Sequence, residues 1–201
     1  MLFGGKMNTP KNVNNVIHLD NWYHKNYQDV YSFDLDDTLI QSVGTYETDY
    51  DLAKFNRDNT LLNNLRLKKL PLAVFVNMVF AKKNNLVVIH TSRTVKWWLP
   101  FVLWFHGIKY DILIQRPKRN TMPSGQLKRE QIKHQILFRK IKIGNLIFFD
   151  DSKENRDQIE TLDYAIVHDP VEINKSITYD ILNSSNRLEV IRMMRKRGYK
   201  I

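Results

Sequence analysis

The stretch VYSFDLDDTLI, residues 30–40, joins a run of aromatic and β-branched residues to three aspartates. The first part of this stretch is typical of a buried β-strand. Carboxylates placed this close together repel one another unless a positive charge lies among them. The aspartates therefore indicate either a surface turn after the strand, where this residue type is common, or a site for a metal ion and phosphate.

The rest of the chain alternates between short apolar runs and longer stretches of helical periodicity. Four further strands are predicted at residues 86–91, 110–115, 145–151 and 165–169. Helices are predicted within residues 59–85, on either side of Pro71, and at residues 94–107 and 125–141. This alternation predicts an α/β fold with a doubly wound parallel sheet.

Size and composition suit one domain with short appendages. The chain has 201 residues, of which 43% are hydrophobic, which is enough for a sizeable core. We expect a polar, Asn-rich N-terminal arm at residues 1–27, the catalytic domain at residues 28–182 and a basic helix at residues 183–201. A loop or hairpin turning at Gly44 is expected after the first strand.

The absence of cysteine and of long apolar runs bears on location. There are no cysteines, which fits a reducing compartment. Met1–Asp20 has no apolar signal-peptide core, and the longest apolar runs are shorter than the ~18 residues that span a bilayer. We therefore expect an intracellular protein, cytoplasmic or nuclear, with no membrane partner.

The formal net charge of +10 indicates a phosphate-rich partner. Nucleic acid, either DNA or RNA, is the first candidate. Lysine-rich coding bias produces basic proteins too, so the charge alone leaves both interpretations open. The sequence does not indicate a protein partner.

Polar residues stand at the carboxyl ends of three predicted strands: Asp34 and Asp36, Thr91 and Ser92, Asp150 and Asp151. In parallel sheets these ends meet at one edge, where ligands bind. Carboxylates and phosphate oxygens are the ligands that Mg²⁺ prefers. The sequence therefore favours a Mg²⁺ and phosphate site over a plain surface turn.

Each of these residues suits a step of phosphoryl transfer. Asp34 is a candidate nucleophile on phosphorus, and Asp36 a candidate general acid and base. Thr91 can donate a hydrogen bond to a phosphoryl oxygen. A lysine of the helix at residues 125–141 would neutralise developing charge; Lys128 and Lys133 are five residues apart and do not share a helix face.

These residues resemble the haloacid dehalogenase-like (HAD) phosphohydrolases. That family has a strand ending in Asp-x-Asp-x-Thr, here Asp34, Asp36 and Thr38, and later strands ending in Thr91 and in paired acids. The resemblance covers about residues 30–170. It implies a phosphatase, because Asp36 is kept, and it favours Lys128, which stands in the family pattern LKREQI.

The resemblance also implies a cofactor and a binding set. Mg²⁺ would be held by Asp34, Asp150 and Asp151, with Asp36 contributing its backbone carbonyl, and Thr38 would contact substrate. The segments between the motifs leave room for a minimal cap domain or none. An open site of this kind suits a large substrate.

A narrower resemblance is to the 3′-phosphatase domain of polynucleotide kinase-phosphatases. It rests on Thr91-Ser92-Arg93, Trp98-Leu99, Tyr110-Asp111-Ile112-Leu113 and Arg116. It implies that Ser92, Arg93 and Arg116 bind the phosphate at a DNA or RNA end. The chain departs from that family at Ser92, which replaces a glycine, and it lacks the acids that usually follow the arginine as well as a P-loop kinase motif.

Two rival functions stay open at this stage. TSRT with IFFDDSKEN also resembles the small magnesium-dependent phosphatases, which implies nucleotides, small metabolites or phosphoproteins as substrates. A catalytically inactive nucleic-acid-binding module is the third possibility. Fold cannot choose among them.

Two further features have competing interpretations. Trp97, Trp98 and Trp104 stand at helical spacing, and we expect them in the core rather than as platforms for bases. The basic residues of the terminal segment fit a solvated helix end and a strand-binding patch equally well; they are Arg192, Arg195, Lys196, Arg197 and Lys200.

Overall fold

A computed structural model of the chain describes residues 16–18, 29–42, 58–134, 144–176, 192 and 194–198. The elements in chain order are β1 (Val16–His18), β2 (Asp29–Phe33), α1 (Leu61–Arg66), α2 (Leu72–Phe80), β3 (Asn85–Thr94), α3 (Leu99–Phe105), β4 (Ile112–Arg116), α4 (Ser124–Ile132), β5 (Asn145–Phe149), α5 (Lys153–Glu160), β6 (Ala165–His168) and α6 (Pro170–Ser176). Within these ranges, no helix is long and apolar enough to cross a membrane.

The strands form one sheet in the order β1-β4-β3-β2-β5-β6. The edge strand β1 is antiparallel to β4, and all other neighbours are parallel. The five parallel strands are the five predicted from the apolar runs, so the predicted α/β class is confirmed. β2, which leads into the three aspartates, lies between β3 and β5.

Helices cover both faces of the sheet because strand side chains alternate between them. On the first face, Tyr31 and Phe33 of β2 pack in one cluster with α2, α3 and Ile173 of α6. On the second face, Val30 of β2 packs in another cluster with residues of α4 and α5, among them Ile159. Each face of the sheet is therefore covered by a separate apolar core.

Aromatic packing fixes the centre of the first face. Phe33 of β2 and Phe149 of β5 stack with ring centroids 4.8 Å apart. Phe75 of α2 meets both rings edge-on at about 6 Å. Such offset and edge-to-face pairs add to the area that the rings bury, and they hold together the two strands that end in acidic residues.

Two details differ from the sequence predictions. β3 continues past Thr91 to Thr94, through a register shift against β4 between these two residues, so Thr91 and Ser92 lie within the strand. Trp98 is buried as predicted, but Trp97 and Trp104 are 84% and 71% exposed. The helix α3 is apolar on all sides, and periodicity cannot tell which side faces the core.

Several predicted segments fall wholly or partly outside the described residues. They are the turn at Gly44, most of the arm at residues 1–27, most of the basic helix at residues 183–201, and residues 135–141 of the fourth predicted helix. Between Thr94 and α4, the described chain holds one helix and one strand. Met194 is buried in the core of the first face.

Candidate active site

Two aspartates stand at the carboxyl ends of the adjacent strands β2 and β5. The amide of Asp34 donates to the carbonyl of Phe149 at 2.8 Å, and the amide of Asp150 to that of His168 at 3.4 Å. Each residue thus continues the ladder to the neighbouring strand before the chain turns away. The sheet itself brings the two carboxylates together at one edge, where strand ends of α/β sheets bind ligands.

The chain after Asp34 folds into a tight turn. The amides of Leu39 and Ile40 both donate to the carbonyl of Leu35, at 3.0 and 3.1 Å. Asp37 has a φ of 50°, in the left-handed region that aspartate tolerates better than most residues, and its Oδ1 accepts from the amide of Ser42 at 2.9 Å. The three aspartates therefore serve different purposes, and Asp37 shapes the loop.

The structure places Lys128, and not Lys133, between the two strand-end aspartates. The Nζ of Lys128 lies 2.5 Å from Oδ1 of Asp34 and 2.6 Å from Oδ2 of Asp150, and the Lys128 side chain is 1% exposed. The Lys133 side chain is 36% exposed and lies 3.6 Å from Glu130. One ammonium therefore bridges the two carboxylates beneath the edge of the sheet.

A glycine sets how closely the lysine helix approaches. A Cβ at Gly125, in the first turn of α4, would lie 2.8 Å from Cγ of Gln158 and 3.0 Å from the carbonyl oxygen of Glu154. Both of these belong to α5, which follows Asp150. The missing side chain lets α4 pack closely on α5, and this packing fixes the position from which Lys128 reaches the strand ends.

The charges at this edge depend strongly on one another. Burial raises the pKa of Asp34 well above its ordinary value, the Lys128 ammonium opposes that rise, and Asp150 adds to it. Burial alone would lower the pKa of Lys128, but Asp150 and Asp34 raise it overall. The lysine therefore stays charged, and its charge is what makes ionised carboxylates tolerable here.

Asp150 is held by a local cap that the sequence reasoning missed. Its Oδ1 accepts from the amide of Ser152 at 3.0 Å and from Nδ2 of Asn155 at 2.9 Å. Ser152 caps α5 and accepts from the amide of Asn155. Arg156 donates to the carbonyls of Asp150 and Asp151 at 2.6 and 2.8 Å. The Ser-x-x-Asn spacing directly after the acidic pair was the available signal.

Three carboxylates converge closely enough to bind one metal ion. Oxygens of Asp34, Asp150 and Asp151 all lie within 4.8 Å of one another. Burial, followed by the charge of Asp150, raises the pKa of Asp151 to about 6. A single ammonium cannot neutralise three carboxylates, and the donor set consists of hard oxygens. These residues fit a divalent cation such as Mg²⁺.

The side chain of Asp36 lies outside that metal group, because it is paired with Arg93. Nε of Arg93 donates to Oδ2 of Asp36 at 2.7 Å, and a second guanidinium nitrogen contacts Oδ1. This two-point geometry is the strongest form of the arginine–carboxylate contact. The Asp36 side chain remains 23% exposed, so the acid that we expect to exchange protons keeps access to the site.

Two asparagines hold the other end of the Arg93 guanidinium. Its third nitrogen contacts Oδ1 of Asn59, at 3.2 Å, and Oδ1 of Asn64. Nδ2 of Asn64 in turn donates to Oδ1 of Asn59 at 2.8 Å and to the carbonyl of Thr60 at 2.7 Å. Sequence reasoning missed both asparagines, because in the stretch NTLLNN they carry only helical periodicity and no motif.

The structure does not bring Arg93 to the surface, where the sequence predicts a substrate phosphate. Arg93 is buried, at 3% exposure, and the proximity of Asp36 raises its pKa although burial alone would lower it. Hydrogen bonds from its side chain go to Asp36, Asn59 and Asn64, so the structure directs this guanidinium toward side chains of the site.

The remaining predicted binding residues lie along β3, β4 and the turn after β2. Oγ1 of Thr91 accepts from the amide of Arg93 at 3.2 Å, and the hydroxyl of Ser92 contacts that of Ser124 at the start of α4. The hydroxyl of Thr38 is buried and has no hydrogen-bond partner among the described residues.

Arg116 is half-buried at the end of β4. Its Nε donates to the carbonyl of Ser92 at 3.0 Å, and a terminal nitrogen donates to the carbonyl of Met122 at 2.6 Å. Burial lowers its pKa. Arg116 thus ties the loop after β4 to β3 directly beside Thr91 and Ser92.

Two solved structures share this fold over most of the chain. A chain of the Pnkp1/Rnl/Hen1 complex matches with a TM-score of 0.51 and 18% identity, over 71% of this chain and 46% of that one. A chain of the Pnkp1/Rnl/Hen1 RNA repair complex matches with a TM-score of 0.53 and 17% identity, over 76% and 45%. At these identities the likeness shows the fold alone. This chain spans less than half the length of either.

A third structure, a HAD family hydrolase from Salmonella enterica serovar Typhi, matches at 13% identity over 68% of this chain and 61% of that one. Its TM-score of 0.48 is too low to support an inference. In comparisons by sequence, no protein-family model matches the chain, and no curated protein is similar enough to count as a relative.

Proposed function

We propose that this chain, which has the Rossmann-like fold of the HAD hydrolases, is a Mg²⁺-dependent phosphatase that removes phosphate from polynucleotide ends. One observation carries the proposal: Lys128 lies between Asp34 and Asp150 at the ends of two adjacent strands. A buried ammonium bridging two carboxylates is costly to build, and it gains a purpose where a phosphoryl group is transferred.

The chemistry follows from the two acids. The Asp34 carboxylate attacks the phosphorus of a phosphate monoester, so that an oxygen–phosphorus bond forms while the bond from phosphorus to the leaving oxygen breaks. Asp36 gives its proton to that leaving oxygen. Asp36 then takes a proton from water, and the water oxygen attacks the phosphorus of phospho-Asp34. Inorganic phosphate leaves, and the Asp34 carboxylate is restored.

The surrounding residues hold the charges in place. Lys128 opposes the rise that burial causes in the pKa of Asp34, and its charge offsets negative charge on the phosphoryl group. Thr91, Thr38 and Ser92 supply hydroxyl donors for phosphoryl oxygens. Asp34, Asp150 and Asp151 would hold Mg²⁺, together with the backbone carbonyl of Asp36. When bound, the ion supplies positive charge at the transferring group.

Arg93 is better suited to positioning Asp36 than to binding substrate. Two nitrogens of its guanidinium contact both oxygens of the Asp36 carboxylate. Asn59 and Asn64 contact the third nitrogen and restrict its movement. A general acid must lie within hydrogen-bond reach of the oxygen it protonates. We assign Arg93 the task of aiming Asp36, and we keep Arg116, beside Ser92, as the candidate contact to the substrate phosphate.

A polynucleotide end as substrate has two independent supports. The net charge of +10 attracts phosphate-rich polymers. The two matching structures with TM-scores of 0.51 and 0.53 come from Pnkp1/Rnl/Hen1 complexes, one of them described as an RNA repair complex. The proposal covers DNA and RNA ends, and the 3′-phosphate is the favoured group.

A competition assay tests this substrate. At moderate salt, the purified chain with Mg²⁺ receives a 3′-phosphorylated oligonucleotide and a nucleoside 3′-monophosphate together, and released phosphate is assigned to each. We expect clear preference for the oligonucleotide. Equal use of the two, or preference for the monomer, would replace the polymer substrate with a nucleotide or small metabolite. Failure to hydrolyse these and a small aryl phosphate would favour the inactive binding module.

A further inference from the structure

One side of the helix α3 and of the turn before it presents a row of aromatic side chains to solvent. We call Trp97, Phe101, Trp104 and Phe105 the aromatic face. They are 84%, 46%, 71% and 55% exposed, and the rings of Phe101 and Trp104 stack with centroids 5.5 Å apart. Their spacing places them on the side opposite Trp98, Leu99, Val102 and Leu103, which are buried in the core. Exposed apolar surface of this kind marks an interaction site.

The part of the chain that carries this face contains no acidic residue. Between Asp58 and Asp111 there is no aspartate or glutamate, while the same stretch contains Arg66, Lys68, Lys69, Lys82, Lys83, Arg93, Lys96 and Lys109. The helix α1 lies beside α3, linked to it by a 2.9 Å contact between Nε2 of His106 and the carbonyl of Asn64. Lys96 directly precedes Trp97, whereas Arg93 is buried against Asp36. The stretch as a whole adds only positive side-chain charge, which favours a partner with negative charge.

The aromatic face begins at the catalytic edge of the sheet. β3 ends at Thr94, and the next two residues are tied to the end of β4: the amide of Val95 donates to the carbonyl of Arg116 at 3.0 Å, and that of Lys96 to Oε1 of Gln115 at 3.1 Å. Trp97 follows immediately. Two residues later α3 begins, and it runs for about 10 Å, which is long enough for more than one stacked base.

We propose that the aromatic face stacks with the bases of a single-stranded nucleic acid whose phosphorylated end lies in the site. Aromatic rings beside basic residues are the usual means of binding a single strand without reading its sequence. A second copy of this chain fits less well, because the same stretch without acidic residues would then face itself. The proposal deepens the proposed function, but base stacking does not itself depend on catalysis.

The test measures binding without chemistry. Fluorescence anisotropy of a 5′-labelled single-stranded oligonucleotide that lacks a 3′-phosphate gives the Kd for the full chain and for the variants Trp97→Ala and Trp104→Ala. We expect each variant to weaken binding about five- to 150-fold, the range for loss of one stacked base. Ile166→Ala is the matched control, because Ile166 is an exposed apolar residue of β6, and its Kd should equal that of the wild type.

An abasic strand separates stacking from attraction to phosphate. Because it keeps the charges but lacks the bases, the wild type should bind it more weakly, and the penalty for Trp97→Ala should disappear. A penalty that persists on the abasic strand would overturn base stacking. So would a Kd unchanged by both tryptophan variants, or no measurable binding by the wild type. Thermal melting confirms that each variant is folded.

Two controls separate this inference from the proposed function and from dimerisation. If the wild type hydrolyses an aryl phosphate while both tryptophan variants bind the oligonucleotide normally, the stacking surface is wrong and the phosphatase stands. If hydrolysis is absent but both tryptophan variants weaken binding as expected, the stacking surface stands and the phosphatase activity is wrong. If the variants change the sedimentation coefficient and leave the Kd unchanged, the aromatic face is a contact between copies, and the inference is overturned.

Discussion

The two buried cations of the site, Lys128 and Arg93, meet their carboxylates in different ways. Lys128 is a single charge shared between Asp34 and Asp150, and its side chain is 1% exposed. Arg93 gives two donors to one carboxylate, Asp36, which is 23% exposed. Asp34, the proposed nucleophile, is thus buried beside a single point charge, while Asp36, the proposed acid, contacts a planar guanidinium and stays partly exposed. The difference matches the tasks of attacking phosphorus and exchanging protons.

The strongest test of the comparison removes the nucleophile. Asp34→Asn should reduce phosphatase turnover below detection, because the amide cannot attack phosphorus and binds a cation poorly. Phosphate release from an aryl phosphate measures the effect, and circular dichroism shows whether the fold is kept. Full turnover in folded Asp34→Asn protein would show that the buried carboxylate is not the nucleophile.

Removal of the metal should have an effect nearly as large. Excess EDTA should abolish turnover, because a single lysine then faces three carboxylates that converge within 4.8 Å. Mg²⁺ should restore it, and Ca²⁺ should do so poorly, since its larger and looser shell misplaces the reacting groups. Turnover that survives excess EDTA would mean that Lys128 alone offsets the negative charge of the three carboxylates.

The contribution of Asp36 to turnover should depend on the leaving group of the substrate. Asp36→Asn removes the proton donor, and we expect turnover to fall by about 10²- to 10⁴-fold. The loss should be larger for an alkyl phosphate than for p-nitrophenyl phosphate, because a poor leaving group needs protonation more. Equal losses on both substrates would contradict general-acid catalysis by Asp36.

Loss of the point charge should lower both activity and stability. Lys128→Met leaves two buried carboxylates without the cation that bridges them, and breaking a buried pair costs about 3–5 kcal/mol; turnover should fall by about 10²- to 10³-fold. Lys133→Met is the matched control on the same helix and should change the free energy of unfolding by less than about 0.5 kcal/mol. Urea unfolding and steady-state kinetics measure the two effects. Similar effects for Lys128→Met and Lys133→Met would show that Lys128 has no particular role in turnover or stability.

The smallest expected effects come from the contact between the Arg93 guanidinium and Asp36 and from the asparagine that holds this guanidinium. Arg93→Lys keeps the charge and loses the two-point contact, so we expect turnover of an alkyl phosphate to fall about tenfold, within the range for one charge-assisted hydrogen bond. Asn64→Ala should show a smaller loss in kcat with KM unchanged, and Asn63→Ala, whose side chain contacts Asp58 instead, should show none.

Comparing substrates with different leaving groups shows whether Arg93 and Asn64 act through Asp36 or only stabilise the fold. Losses confined to the alkyl phosphate indicate that both residues act through Asp36. Losses equal for the alkyl and p-nitrophenyl substrates would mean that these side chains only stabilise the fold. A raised KM for the oligonucleotide with unchanged kcat would return Arg93 to the substrate-binding role that the sequence predicts.

The sheet could be predicted because its signals are local. Continuous apolar runs predicted the five parallel strands, since strands buried on both faces carry few polar residues. Asp34 and Asp150 then had to share an edge, because parallel strands end on the same side. Ser152 and Asn155, which hold Asp150, were missed although their capping pattern is visible in the sequence.

The sequence did not show which side of a helix or strand faces which neighbour. Residue spacing separated Lys128 from Lys133 onto different faces of one helix, and the family resemblance favoured Lys128. The contact with the two carboxylates depends on how α4 packs on α5 at Gly125. Arg93 was predicted to contact phosphate, but β3 extends through its register shift to Thr94, and the side chain lies buried against Asp36. Asn59 and Asn64 support it from a segment that carries no motif.

The sequence by itself determined the parallel sheet and the acidic strand ends, because both follow from the burial of short apolar runs. Only the tertiary structure decided which acid the arginine holds, how Lys128 bridges two carboxylates, and which tryptophans in and before the all-apolar helix α3 stay exposed. These outcomes depend on how neighbouring elements are rotated and spaced. That is set by contacts between residues far apart in the chain, which local patterns do not encode.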